Sequence, residues 1–382
     1  MPAELTTKDF TFEGALGCHG ATIERLGVNH FRVVPGAAPE HPEWSNKVQF
    51  TILRNAKGND LRLDVAYPQG EGMWFNEYFQ SYSYDAENWH PVHWDKGYQE
   101  APKADTLRFP VFEQDSVYVG HQVPMSYEDT LRLIDNWSES AHVTVHKIGD
   151  SLGGRTLHRL EITSANSNVP RAQRWVHHIS NQHPGEHCAH WRMVGMVDWL
   201  LSPEGADCLQ RSICHFIFYM SPDAPSHGWY RVNAQGVDMN RSYLGDGADP
   251  DKQPHEAYLC QHDLEQLMAS EAPVSDMWGM HTWGGIVEPI IMPGPEFGTQ
   301  LGTWEELRDT MARLDTRELI KPLKAREPSG KTVYWTGGPR IQFGITAVLC
   351  EGAATIHTRE DNEYTGRVIM QSLAEFYSGT RS

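Results

Sequence analysis

From about residue 8 to residue 138, short runs of alternating apolar and polar residues are separated by turn-rich breaks. HFRVV (30–34), VQFTILR (48–54), LRLDVAYP (61–68), TLRFPVF (106–112) and SVYVGHQV (116–123) are rich in β-branched and aromatic residues. Such segments suit strands with one buried face, and their succession between turn-rich breaks predicts a β-sandwich of antiparallel strands. MSYEDTLRLIDNW (125–137) then shifts to a helical period. Ser126 stands where an N-cap belongs, and Asp129, three residues on, can return the hydrogen bond.

After residue 139 the texture changes. VTVHKI (143–148), TLHRLEIT (156–163), RWVHHI (174–179) and CHFIFYM (214–220) read as strands. They alternate with helical patterns near 187–201, 255–270, 303–317 and 362–378, which predicts α/β units around a mixed sheet. The expected organisation is a sandwich domain over 1–139 followed by an α/β domain over 140–382.

Composition narrows the function. With 382 residues, 40% hydrophobic and 21% charged, the chain is long enough for two ordinary domains. Its net charge of −18, without clustered Lys and Arg, excludes the phosphate-neutralising surface of a nucleic-acid binder and disfavours anionic membranes. The start, MPAELTTKDF, lacks a basic segment followed by an apolar run, and no stretch has the apolar length of a membrane span. The expectation is a soluble cytoplasmic protein. Six scattered cysteines with no C-x-x-C spacing point to reduced thiols, with Cys188 as a buried helix residue.

The spacing H-x-x-E occurs four times: His158 with Glu161, His183 with Glu186, His262 with Glu265, and His357 with Glu360. Spacing alone selects none. The first pair falls in a strand pattern, where three residues apart means opposite faces, and the third lies on a solvated helix face. His183 and Glu186 differ because they flank Pro184-Gly185 between a buried strand and an amphipathic helix. That is the carboxyl end of a strand, where open α/β sheets bind ligands; the residues alone leave metal and structural roles equally open. A hydrolytic zinc site needs a third protein ligand and an open position. His281, in VSDMWGMHTWGG, ends an apolar stretch, although by itself it reads as a hydrogen-bonded core histidine. Glu351 ends the apolar run GITAVLCE, where a carboxylate is costly unless paired or functional. GWYRVNAQGVDMNRSY offers Arg231, Asp238, Asn240 and Arg241, suited to oxyanion and carboxylate binding but equally to a surface loop.

Taken in order, H-P-G-E, G-x-Y-R with V-D-x-N-R, a strand-end His and a strand-end Glu resemble the zinc metallocarboxypeptidase family, and within it the cytosolic carboxypeptidase branch with its bacterial members. DSVYVGHQVPMSYEDTLRLI is similar to the end of the β-sandwich that precedes the catalytic domain in that branch. The resemblance implies one zinc ion held by His183, Glu186 and His281, with Glu351 as general base and acid for metal-activated water. It implies that Arg231 stabilises the tetrahedral oxyanion, that Asn240 and Arg241 hold the C-terminal carboxylate of a peptide or protein tail, and that Asp238 orients the first zinc histidine. Arg340, the one basic residue between Lys331 and Glu351, would favour an acidic terminal residue.

Three departures accompany it. Gly279 replaces the Asp usual two residues before the third ligand, Ser221 and Ala224 replace an Asn and a Gly ahead of Arg231, and the segment before Glu351 is longer than in the family. Trp278, Trp283 and Trp335 are candidates for the cleft wall, with core packing the main role expected of the aromatic residues. Two other readings remain: a zinc deacylase of small N-acyl amino acids, and a non-catalytic binder of C-terminal tails.

Overall fold

Alternation along the chain becomes alternation of burial in the first 121 residues. The strands there are β1 (Phe10–Thr11), β2 (Thr22–Gly27), β3 (His30–Val34), β4 (Ala37–Ala38), β5 (His41–Ser45), β6 (Phe50–Ile52), β7 (Leu61–Val65), β8 (Gln80–Ser83), β9 (Trp89–Pro91), β10 (Thr106–Phe109) and β11 (Val117–His121). The computed structural model describes residues 2–66, 80–92, 106–283, 303–320, 332–353, 358–379 and 381. In β7 every second side chain is buried, and Leu61 and Leu63 join Phe31, Phe50 and Phe112 in one apolar core.

Two sheets enclose that core, ordered β1-β6-β11-β8-β9 and β10-β7-β3-β2, with a separate β4-β5 hairpin. Their pairings are antiparallel except for β3 with β7, which run parallel. After β3 the chain passes through β4, β5 and β6 before returning as β7, and such a crossover permits parallel pairing where a tight turn does not.

Helix α1 (Tyr127–Ser138) follows, and its start is the expected one. Ser126 accepts from the Asp129 N–H while the Asp129 side chain accepts from the Ser126 N–H. Beyond it lies a six-stranded sheet in the order β12 (Val143–Asp150), β13 (Thr156–Ile162), β15 (Ser212–Ile217), β14 (Trp175–Ser180), β16 (Asp276–Trp283) and β17 (Thr346–Ala353). β12, β13 and β15 pair antiparallel, whereas β15, β14, β16 and β17 run parallel. β14 and β15 are buried along their whole length, as central strands covered on both faces must be.

One face carries α1, α2 (His187–Leu201), α6 (Trp304–Leu314) and α8 (Arg359–Phe376), whose side chains share a core with Ile179, Trp278 and Val348. The other carries α5 (His255–Met268) around Val176, Ile213 and Met277. Short helices α3 (Ala206–Arg211), α4 (Ala224–His227) and α7 (Gly338–Phe343) complete the connections. α2 matches its expected span residue for residue and packs through Val194, Val197 and Leu200. All six cysteines are free and buried. No described helix is long and apolar enough to cross a membrane.

Candidate metal centre

Between the end of β14 and the start of α2 the chain turns within six residues. Gly185 is the hinge of that turn: its N–H donates to the Tyr230 carbonyl at 2.9 Å, and a Cβ there would stand 2.6 Å from the Tyr230 Cα. Only glycine allows so close an approach. His183 sits inside the bend, and Glu186 stands at the N-cap position of α2, where its side chain makes no capping hydrogen bond. His281 lies near the carboxyl end of β16, which runs parallel to β14. The three crevice-facing ends thus bring residues far apart in sequence to one point.

There the ligand atoms of His183, Glu186 and His281 all lie within 4.8 Å of one another, and all three residues are buried. His183 Nδ1 is 2.8 Å from Glu186 Oε1, and His281 Nδ1 is 3.0 Å from Glu186 Oε2 and 3.0 Å from His183 Nδ1. Two imidazole nitrogens facing each other at that distance repel unless a proton or a cation lies between them. His183 Nε2 already faces the Asp238 carboxylate at 3.0 Å, so its proton belongs there and Nδ1 is left with a lone pair. Two such nitrogens and a carboxylate form a donor set that suits zinc and leaves a coordination position open. The Thr282 N–H donates to Glu186 Oε2 at 2.8 Å and holds the carboxylate in place.

The carboxylates around His183 favour positive charge at this point, the charge that a cation would supply. Burial and the Arg231 guanidinium push the His183 imidazole down, but the Glu186 and Asp238 carboxylates hold it above its usual range. Burial opposes ionisation of Glu186, yet His183 and His281 keep its carboxyl well below the ordinary value. Burial lowers His281 to about 4. Glu351 is the register partner of His281 on β17. Burial, helped by Glu186, pushes its carboxyl up to about 8 against the pull of His183, Arg192 and Arg231. One of its oxygens, Oε2, is buried without a partner.

Arg231 donates Nε–H to Asp238 Oδ2 at 2.6 Å, so Asp238 bridges Arg231 and His183. Asn240 and Arg241 occupy the turn Met239–Arg241 directly after Asp238. The Asn240 carboxamide oxygen accepts from the Trp335 N–H at 3.2 Å, and the Arg241 guanidinium lies 4.0 Å from the Tyr334 ring centroid. The segment before Glu351 therefore packs on this turn. Arg340, half-buried, lies in α7, which abuts Tyr243 through Gly338. Ser221 is buried behind the Arg231 loop, 3.5 Å from the Val232 carbonyl.

Of the other H-x-x-E pairs, Glu161 is engaged by Arg171 and lies near His146, and His262 is in contact with Gln266 on α5. His357 and the side chain of Trp283 lie outside the described residues. Trp278 and Trp335 are core residues, at 0% and 1% exposure.

Two residues of this site escape a reading of the sequence. Thr282 acts through its backbone, which no residue type announces. Arg192, on α2, is buried and donates to the carbonyl of His281; an arginine inside an amphipathic helix pattern is the one signal it gave.

The zinc carboxypeptidase family model matches residues 131–280, a span that holds His183, Glu186 and the Arg231–Arg241 loop and stops one residue short of His281. Cytosolic carboxypeptidase 2 of Homo sapiens is 32% identical over 149 residues, covering 36% of this chain and 16% of that protein. The Danio rerio counterpart is 32% identical over 146 residues, 36% of this chain and 20% of the relative. The chain thus spans a small part of these relatives' length. Among solved structures, the metallo-carboxypeptidase from Burkholderia cenocepacia is similar with a TM-score of 0.73 at 18% identity, over 97% of this chain and 98% of that one. A metallo-carboxypeptidase from Pseudomonas aeruginosa gives 0.74 at 18%, over 97% and 99%. At that identity the likeness concerns the fold.

Proposed function

We propose that the chain, whose residues 131–280 match the zinc carboxypeptidase family model, is a member of that family and removes single residues from the C-termini of peptides or protein tails. One observation carries the reading. Three buried ligand atoms converge within 4.8 Å, and a carboxylate on the adjoining strand, Glu351, stands beside the third of them. We take 140–382 as the catalytic domain, 1–139 as its β-sandwich partner, and the cytoplasm as its compartment.

His183, Glu186 and His281 would hold one zinc ion, which when bound supplies a Lewis acid and makes water more acidic. Glu351, kept ionised by the positive charge of a cation beside it, accepts the proton of the attacking water and delivers it to the leaving amine nitrogen as the C–N bond breaks, so the proton is neither lost nor gained. Arg231, aimed by Asp238, stabilises the negative charge that develops on the carbonyl oxygen. Asn240 and Arg241 receive the terminal carboxylate through charge-assisted hydrogen bonds. Arg340 favours an acidic terminal side chain; unchanged preference in Arg340→Ala would remove that assignment.

The test compares one peptide with a free C-terminus, its C-terminal amide, and an N-acetyl amino acid. Release of one residue from the first, stopped by a chelator and restored by zinc, is expected. Equal cleavage of the amide would defeat carboxylate recognition, and preferential hydrolysis of the acetyl amino acid would favour a deacylase. Tight binding of the free tail by zinc-loaded protein without turnover would favour a non-catalytic binder.

A further inference from the structure

His183 and His281 both turn Nδ1 toward the common centre, but their far sides are unequal. His183 Nε2 has the Asp238 carboxylate at 3.0 Å. His281 Nε2 is buried and has no partner. A histidine that offers Nδ1 as a lone pair carries its proton on Nε2, so His281 presents a buried N–H with nothing to accept it, a costly arrangement.

A second orphan lies beside it. The carboxamide oxygen of Gln182 is likewise buried and without a partner. Its orientation is determined by its other end, since the Gln182 Nε2 group donates to Ser180 Oγ at 2.8 Å and reaches the Ser180 backbone carbonyl at 3.4 Å. A carbonyl oxygen only accepts, so the NH2 must face Ser180 and Oε1 must face away. The two orphans meet at Gly279. The position a Cβ would take there is 3.0 Å from Gln182 Oε1 and 3.6 Å from His281 Nε2, with Thr336 Cγ2 at 3.1 Å. A donor lacking an acceptor and an acceptor lacking a donor therefore flank one bare Cα.

We propose that Gln182 is the positioning residue for His281: with the cation bound, its carboxamide oxygen, unpaired here across the space that glycine at position 279 leaves free, takes the Nε2–H and holds the ring with Nδ1 toward the cation. This rests on the zinc reading above. It gives the two histidines different supports, a carboxylate behind His183 and a neutral amide behind His281. A neutral acceptor raises the basicity of its imidazole less than a carboxylate does, so the His281–metal bond is the softer of the two.

The experiment measures zinc affinity by chelator competition, together with the visible d–d bands of the cobalt(II)-loaded protein, in wild type, Gln182→Leu and Gln182→Glu. Gln182→Leu keeps the volume and removes the acceptor; it should weaken zinc binding by roughly 10- to 100-fold and shift the cobalt bands. Gln182→Glu restores an acceptor and should return affinity to the wild-type level or above. The melting temperature in chelator should change little between wild type and Gln182→Leu. Wild-type affinity in Gln182→Leu would overturn the proposal, as would a loss that Gln182→Glu fails to rescue. A wild-type protein that takes up no zinc would defeat the zinc reading itself, and with it this inference.

Discussion

His281 and Glu351 stand side by side as register partners on two parallel strands, β16 and β17. In-register neighbours point to the same face of a sheet, so the third candidate ligand and the candidate proton carrier enter one pocket from adjacent strand ends. The expected division of labour is clean. Glu351→Gln should retain zinc at one ion per chain while kcat/KM falls by roughly a thousandfold, within the usual span of general acid–base catalysis. Metal analysis beside steady-state kinetics checks it; full activity in the zinc-loaded variant would remove Glu351 from the chemistry.

Asp238 serves two side chains at once, His183 Nε2 at 3.0 Å and Arg231 Nε at 2.6 Å, besides accepting from the Asn240 N–H. Asp238→Asn should therefore reduce both zinc affinity, by roughly 10- to 100-fold, and the turnover that persists at saturating zinc, because Arg231 loses its aim. A variant that loses affinity but regains full kcat when zinc is supplied would show that Arg231 does not depend on this carboxylate.

Much of the candidate site was legible because it is local. His183, Pro184, Gly185 and Glu186 lie within one turn, and the helix behind them announces itself by its period. The alternation of LRLDV and the Ser126–Asp129 capping pair were equally readable, since each depends on neighbours a few residues away. What could not be read depends on distance. The contact of Arg192 with the carbonyl of His281 joins residues 89 apart, and the role of Thr282 resides in a backbone N–H. The parallel pairing of β3 with β7 follows from the path of the chain, whereas a period of two is the same for either strand direction. Gly279 was visible as a departure, but that Gln182 and Thr336 crowd its bare Cα could only be seen in three dimensions.

α2 carries Glu186 at its start, and α8 holds α2 against the sheet. The two helices cross at glycines: a Cβ on Gly366 would fall on the Arg192 carbonyl, and one on Gly195 on that of Glu363. Gly366→Ala must push the backbones apart and should cost about 1–3 kcal/mol, the range for overpacked cores. Helix propensity acts in the opposite direction by up to about 1 kcal/mol, so the sign itself tests the packing. A raised melting temperature in Gly366→Ala would mean that the crossing is loose.

Acid should unfold this protein in part through two histidines in the buried middle of the sheet. His178 on β14 and His215 on β15 are register partners there. Burial lowers His178 from 6.5 to about 3, and the nearby Arg159 charge acts the same way. Burial, then Arg159, likewise sets His215 well below its ordinary value, and Arg159 donates to its Nδ1 at 2.9 Å. Both rings are neutral when folded, while the unfolded chain binds protons once the pH falls below about 6.5. The stability these groups hold is complete above 6.5 and is lost as the pH falls from there toward 3, each contributing a slope of up to about 1.4 kcal/mol per pH unit. His178 has no hydrogen-bond partner for either ring nitrogen, so His178→Leu removes a titrating group without stranding another. Urea unfolding at several pH values between about 4 and 7 should show a shallower acid limb in His178→Leu than in the wild type. Parallel limbs would mean that His178 is already protonated in the folded state.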